Sequence, residues 1–244
     1  MKKIIQSLFI FIGFMMAASC SSDENTEEVQ RTTPQTFVKK MTVKVSNGGS
    51  EQDLTGIFEF KYNENRELVE IEKNVYNSAG LFETHIYSYT YNNGRIINYT
   101  SPNGFRTVNY DANDNILNIG NGSDMEYDSN HNMTKDYFGN LFSYVNNNQT
   151  QMNNGVLYSY DDKKNPFLNH NRYFKLLFDF EFEMYGSHVN FVSVNNILTE
   201  ESSIEWQDFT HHMQYDENQF PIKITNVDAN GTTTEELLFE YVDL

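Results

Sequence analysis

The side chains able to do chemistry are scattered. There are six histidines: His85, His131, His170, His188, His211 and His212. None has the H-E-x-x-H spacing that puts two imidazoles on one helical face. His211 and His212 are adjacent, and neighbours on a strand point to opposite faces. The single cysteine, Cys20, has no second thiol for a zinc site or an intramolecular disulfide. No Gly-x-Ser-x-Gly elbow is present to expose a nucleophilic serine. Acidic pairs such as Asp161-Asp162 and Glu200-Glu201 recur. Glycoside hydrolysis needs two carboxylates at a set separation across a cleft, which position in a chain does not supply. Asp111, Asn113 and Asn115 alternate like the first ligands of a calcium loop. Ile116 then stands where that loop needs glycine, and Gly122 where it needs a bidentate glutamate. The pattern implies no catalytic residue, no metal and no cofactor, and the Asp and Asn residues read as turn formers. The remaining candidates are aromatic. Trp206, Tyr87 and Tyr89 are the side chains whose faces could stack on a sugar ring.

Whatever these residues do, β-structure must position them. Aromatics make up 15% of the 244 residues, with 19 Phe and 16 Tyr, and there are 32 Asn. Aromatic side chains suit strands, and Asn suits turns because it tolerates left-handed backbone. The formal net charge is −17, which argues against nucleic acid, whose recognition needs a basic footprint.

A short phrase recurs: Tyr, then Asn or Asp, then polar residues, then apolar ones. Its copies start at Tyr62, Tyr91, Tyr110, Tyr127, Tyr160 and Tyr215, with a degenerate copy at Tyr144. The Tyr ends a strand and covers one sheet face. The Asp or Asn begins the turn and accepts hydrogen bonds from N–H groups ahead of it. Asn-Gly or Asn-Asn supplies the positive φ of tight hairpins. Between turns the residues alternate with period two, as at Phe58, Phe60 and Tyr62, at Tyr87, Tyr89 and Tyr91, and at Leu237, Phe239 and Tyr241. The phrase predicts an all-β antiparallel meander of about 12–14 strands. The expected strands are 37–46, 54–62, 67–76, 82–91, 94–100, 104–110, 115–119, 123–127, 132–137, 140–145, 155–160, 203–215, 220–227 and 234–242. So many strands predict a strongly curved or barrel-like sheet, because a flat one would curl or split.

Residues 166–201 interrupt the phrase. Arg172 to Tyr185 is dense in Phe, Leu and acidic residues, and predicts a short helix or irregular insertion docked on the sheet. Tyr173, Phe174, Leu177 and Phe178 are expected to be buried there, since an exposed run of this kind promotes aggregation. The insertion either carries a binding site or plugs an open end of the sheet.

The first 19 residues read as an export signal: Lys2-Lys3, an apolar run from Ile4 to Met16, then Ala17-Ala18-Ser19. The run is shorter than the roughly 20 residues that span a bilayer. The small residues before Cys20 resemble the lipobox of bacterial lipoproteins, although Ala17 departs from the usual Leu. The resemblance implies a signal peptide over 1–19, lipid on Cys20, and anchoring to the outer membrane on its periplasmic or cell-surface side. Residues 20–35 read as a flexible acidic tether, with Ser21-Ser22-Asp23-Glu24 and Glu27-Glu28. A Ser and acidic run directly after the lipid-bearing cysteine is similar to a surface-export signal of Bacteroidota lipoproteins. One β-repeat domain is then expected over 36–244.

The Tyr-Asp-x-Asn phrase resembles the tyrosine–aspartate repeats of Rhs-type secreted proteins. Together with the lipobox and the tether it resembles Bacteroidota lipoproteins carrying a porin-like domain of unknown function. Asn165-Pro166, Asn195-Asn196, and Tyr215-Asp216 with Pro221 match segments common in those chains. The resemblance implies a β-rich fold and no established activity, without implying a membrane-spanning barrel. The expected function is a non-enzymatic binding or structural module of the envelope, with membrane contact through lipid and a protein or glycan partner. The alternatives are a glycan-binding surface lipoprotein and, behind it, a hydrolase.

Overall fold

The computed structural model describes residues 34–46, 53–153, 155–181, 191–202 and 208–244. Pro34–Leu244 is one compact unit. The expected signal, Cys20, most of the tether and Trp206 lie outside the described residues. Strands run in order β1 (Thr36–Val45), β2 (Leu54–Tyr62), β3 (Leu68–Asn77), β4 (Gly80–Asn92), β5 (Arg95–Ser101), β6 (Gly104–Tyr110), β7 (Ile116–Ile119), β8 (Glu126–Tyr127) and β9 (Met133–Lys135). They continue as β10 (Phe142–Val145), β11 (Asn148–Met152), β12 (Val156–Tyr160), β13 (Ile197–Ser202), β14 (Phe209–Tyr215), β15 (Pro221–Asp228) and β16 (Thr233–Asp243). Among the described residues one helix, α1 (Arg172–Glu181), lies between β12 and β13.

The all-β meander expected from the repeat is present, and every strand pairing is antiparallel. It holds more strands than expected. β11 lies in the Asn-rich, Gln-rich stretch that reads as a turn, and β13 begins inside the expected 166–201 insertion. Fourteen strands form one sheet in the order β10 through β16, then β1 through β7, and β8–β9 form a separate pair. The two ends of the unit thus meet at the sheet centre, where β1 pairs β16. Gln35 and Leu244 exchange two further backbone bonds of 3.1 and 3.0 Å, so the ladder starts one residue inside the expected tether.

The sheet is strongly curved, and the reason is topological. In a flat sheet, thirteen inter-strand spacings of about 4.8 Å would hold β7 and β10 about 62 Å apart. Both instead meet the β8–β9 hairpin. Met125 N–H donates to Leu117 C=O at 2.8 Å beside β7, and Lys135 bridges Leu141 beside β10. The ladder is interrupted on both sides of this hairpin, so the sheet is curled without being a closed hydrogen-bonded barrel.

Six turns led by Asp or Asn share one local geometry. Asp111 Oδ1 accepts from the N–H groups of Asn113 and Asn115, both at 2.8 Å. Asp111 N–H in turn donates to Asn115 C=O at 2.9 Å. Asn63, Asp128, Asp136, Asp216 and Asp228 hold the residues two and four positions later in the same way. The residue three positions on has positive φ in each: Arg66, Asp114, His131, Gly139, Gln219 and Gly231. These loops take side chains there that no turn preference would select. The Asn-Gly and Asn-Asn copies are instead tight turns, with positive φ at Asn93-Gly94 and at Asn146-Asn147.

In a meander every second turn falls on the same rim, so all the Tyr-Asp turns share one end of the sheet. The Tyr hydroxyls link successive copies along it. Tyr91 donates to Leu68 C=O (2.9 Å), Tyr110 to Ile96 C=O (2.9 Å), Tyr160 to Gln149 C=O (2.6 Å) and Tyr241 to Pro221 C=O (2.6 Å). Each acceptor is the first or second residue of the strand that leaves the preceding turn on that rim. The repeat thus sets register as well as turns.

Burial pushes the hydroxyls of Tyr62, Tyr91, Tyr110, Tyr127, Tyr215 and Tyr241 well above the ordinary value of 10.0. The folded chain therefore keeps them protonated where an unfolded chain ionises, so their contribution is full below pH 10 and is lost above it. An ultraviolet titration should show these tyrosines silent until the whole sheet unfolds. Reversible ionisation near pH 10 with strand circular dichroism intact would contradict this packing.

Candidate functional site

The interruption of the repeat begins at a turn. Asp161 N–H donates to Asn196 C=O at 3.1 Å, and Asn196 N–H donates to Asp161 Oδ1 at 3.0 Å. Asn196 Nδ2 donates to Asp161 Oδ2 at 3.1 Å. These are the bonds by which Asp111 holds Asn115 four residues later. The intervening chain is thus an insertion within one Tyr-Asp turn, between the paired strands β12 and β13. Its boundaries are Asp161 and Asn196, rather than 166 and 201.

This insertion fills the interior of the curved sheet. Asn171 caps α1, its Oδ1 accepting Tyr173 N–H at 2.9 Å. Phe167, Phe174, Leu177, Phe178 and Phe191 are at most 2% exposed and Tyr173 is 6% exposed, as the sequence predicts for the four of them in α1. Phe178 packs on Phe60 and Phe58, Phe174 on Tyr89, and Tyr173 on Tyr110, at ring-centre distances of 5.9, 6.5, 5.6 and 5.0 Å. The insertion therefore touches the inner faces of β2, β4 and β6, and acts as a plug. Burial of each Phe contributes about 1.5–3 kcal/mol.

Polar bonds seat the plug on the rim. Asn169 donates to Thr36 C=O and Asn171 to Gly94 C=O, both at 2.8 Å. His170 Nε2 lies 2.8 Å from the Tyr62 hydroxyl. Tyr173 donates to Asp114 Oδ2 at 2.6 Å, and Arg172 and Arg95 pair with the same carboxylate. The Tyr173 hydroxyl bond, ahead of the two arginines, holds the Asp114 carboxyl below its usual range. Asp114 occupies the positive-φ position of its turn, so the turn aims that carboxylate at the plug.

Beside this contact is a cleft of about 230 Å³ at the seam where the ladder is interrupted. One wall is the plug, with Arg172, Lys175, Leu176 and Val192. The other consists of the rim turns, with Asn115, His131, Asn132 and Asn147, backed by Tyr127 and Tyr144. Lys175 is drawn down to about 8 by burial. The cleft offers a cation, amides, an imidazole and phenol rings.

The sequence singles out other aromatics. Tyr87 and Tyr89 are 5% and 6% exposed. Tyr89 stacks on Tyr99 and meets Phe174 edge-on, so these rings are core and present no face to a ligand. The alternating Asp111, Asn113 and Asn115 are not cation ligands, because both Asp111 carboxylate oxygens accept hydrogen bonds within the turn. Lys175 and His131 carry no sequence signal for the cleft. Only the plug's docking brings them together across 44 residues of chain.

A second polar cluster crosses four strands. Glu200 Oε1 lies 3.2 Å from His211 Nε2, and His211 Nδ1 lies 2.7 Å from Asn226 Oδ1. Asn226 Nδ2 donates to Glu235 at 2.6 Å. Two carboxylates and an imidazole have the chemistry of an acid–base set. No residue of this row is more than 8% exposed, so a substrate cannot reach it without opening the core. Among the described residues no group of three or more His, Cys, Asp or Glu side chains is arranged to hold a metal ion.

No protein-family model and no curated protein sequence matches the chain. Among solved structures it is similar to a porin-like protein from Bacteroides uniformis, with a TM-score of 0.48 and 12% identity. That likeness covers 84% of this chain and 98% of the other. The resemblance to lipoproteins and tyrosine–aspartate repeats rests on the sequence motifs.

His170 is fully enclosed by rings of Phe37, Phe60, Phe167 and Phe174. Burial, then Lys175, lowers it from 6.5 to about 3. The folded chain keeps this imidazole neutral, so its contribution is full above pH 6.5 and falls as pH drops towards 3. Melting temperature should decline between pH 6.5 and 4.5, and His170→Phe should flatten that decline. An equally steep decline in the variant would place the titrating group elsewhere.

Proposed function

We propose that this chain is an exported lipoprotein, anchored by lipid on Cys20 to the outer membrane on its periplasmic or cell-surface side. In this reading its β unit is a non-enzymatic binding module. The anchor reading is carried by Lys2-Lys3, the Ile4–Met16 apolar run and the small residues before Cys20. The spacing supports it too. The compact unit starts at Pro34, leaving 13 residues after Cys20, enough chain to reach up to about 50 Å. More than one acyl chain is needed for a stable anchor, since one alone holds marginally.

The binding reading is supported by the plug. A helix wedged into a curled sheet gives a rigid frame, and the rim cleft gathers a cation, amides and aromatic rings on it. The alternative of glycan binding is favoured at this cleft rather than on a strand platform, because Tyr87 and Tyr89 are buried.

Cys20→Ala should move the protein from the membrane to the soluble fraction and abolish incorporation of labelled fatty acid. Its melting temperature should be unchanged. Detergent partitioning equal to that of the wild type would rule out the anchor.

A further inference from the structure

Resting on the binding-module reading, we propose that the seam cleft takes a small hydroxy-carboxylate ring, of the size and chemistry of one uronic acid unit. Its carboxylate would meet Lys175, and one of its hydroxyls would donate to His131 Nε2.

Among the described residues the charges around the cleft are committed, with one exception. Asp111 and Asp128 turn both carboxylate oxygens onto amides of their own loops. Asp114 and Arg172 pair with each other. Lys175 lines the cleft, its Nζ has no hydrogen bond or ion-pair partner among the described residues, and its backbone N–H donates to Asn171 C=O at 3.1 Å. A half-buried ammonium with no counter-charge among the described residues is unfavourable, and a ligand carboxylate relieves it.

His131 supplies the complementary group. Asn115 Nδ2 donates to Asp111 Oδ2 at 3.1 Å, so its Oδ1 must accept. His131 Nδ1, 2.7 Å from that oxygen, is therefore the protonated nitrogen. With Nδ1 so used, the tautomer that carries one ring proton has Nε2 as an acceptor, which suits a hydroxyl donor. The turn itself does not require histidine. The equivalent position in the five sibling turns holds Arg66, Asp114, Gly139, Gln219 or Gly231.

The rest of the lining selects a ring over a bare anion. Leu176, Val192 and the half-buried Tyr127 give apolar lining against which the C–H face of a pyranose can pack. The volume of about 230 Å³ lies below the range of drug-sized pockets, about 300–1,000 Å³, and suits one sugar unit.

The test uses the full chain in detergent micelles, titrated with sodium glucuronate, glucose and inorganic phosphate, and followed by calorimetry. Glucuronate should bind at least tenfold more tightly than glucose or phosphate. Lys175→Met should weaken glucuronate at least tenfold, without lowering the melting temperature. Lys175→Gln should behave alike, which guards against a packing artefact of either side chain. His131→Asn, which tolerates the left-handed backbone, should weaken glucuronate several-fold and leave phosphate unchanged. No glucuronate binding to the wild type, or wild-type binding by both Lys175 variants, would overturn the proposal. So would glucose binding as tightly as glucuronate, or phosphate doing so, the latter marking a plain anion site. Cys20→Ala should not alter this titration, so failure of the anchor and failure of the ligand assignment are separable.

Discussion

Asp161 holds Asn196 across 35 residues with the same bonds that hold Asn115 to Asp111 across four. That constraint lets one turn of a repetitive meander carry a whole helix without losing the register of β12 against β13. The inserted chain then supplies what the strands lack. A curled sheet of this width encloses more space than its own inward side chains fill. The rings at Phe167, Phe174, Phe178 and Phe191 occupy that space, against Phe58, Phe60 and Tyr89. Empty volume in a core costs stability roughly in proportion to its size, so sheet and plug depend on each other.

Much of this was legible in the residues. Period-two alternation at Phe58, Phe60 and Tyr62 placed strands, and the recurrence of the Tyr-Asp phrase placed the turns between them. The density of Phe and Leu after Arg172 marked the plug as buried. β11 was hidden because Asn148–Met152 carries polar residues whose partners lie on the plug, as in Val194 N–H donating to Asn148 Oδ1 at 3.1 Å. β13 was hidden because a turn whose second half stands 35 residues away looks like irregular chain. The positive φ at Arg66, Asp114 and Gln219 was equally unreadable, since the Asp or Asn three positions earlier imposes it. Tyr87 and Tyr89 proved to be core for a general reason: in a sheet, Tyr at period two serves packing and stacking alike, and only burial separates the two uses.

The cleft follows from the same architecture. At the seam, the ladder gives way to a two-stranded hairpin and rim turns face the plug directly. Side chains there are released from sheet pairing. Asp114 is used to seat α1, while His131 and Lys175 face the gap between the two bodies. A rigid frame with a small polar opening suits a binding protein.

Native-state hydrogen exchange tests the interdependence of plug and sheet most directly. The amides of Tyr173–Phe178 and those of β2 through β5 should exchange through one global opening, with a common free energy and a common denaturant dependence. Plug amides that exchange at markedly lower free energy, with the strands still protected, would show that the sheet stands without its plug and would contradict the account.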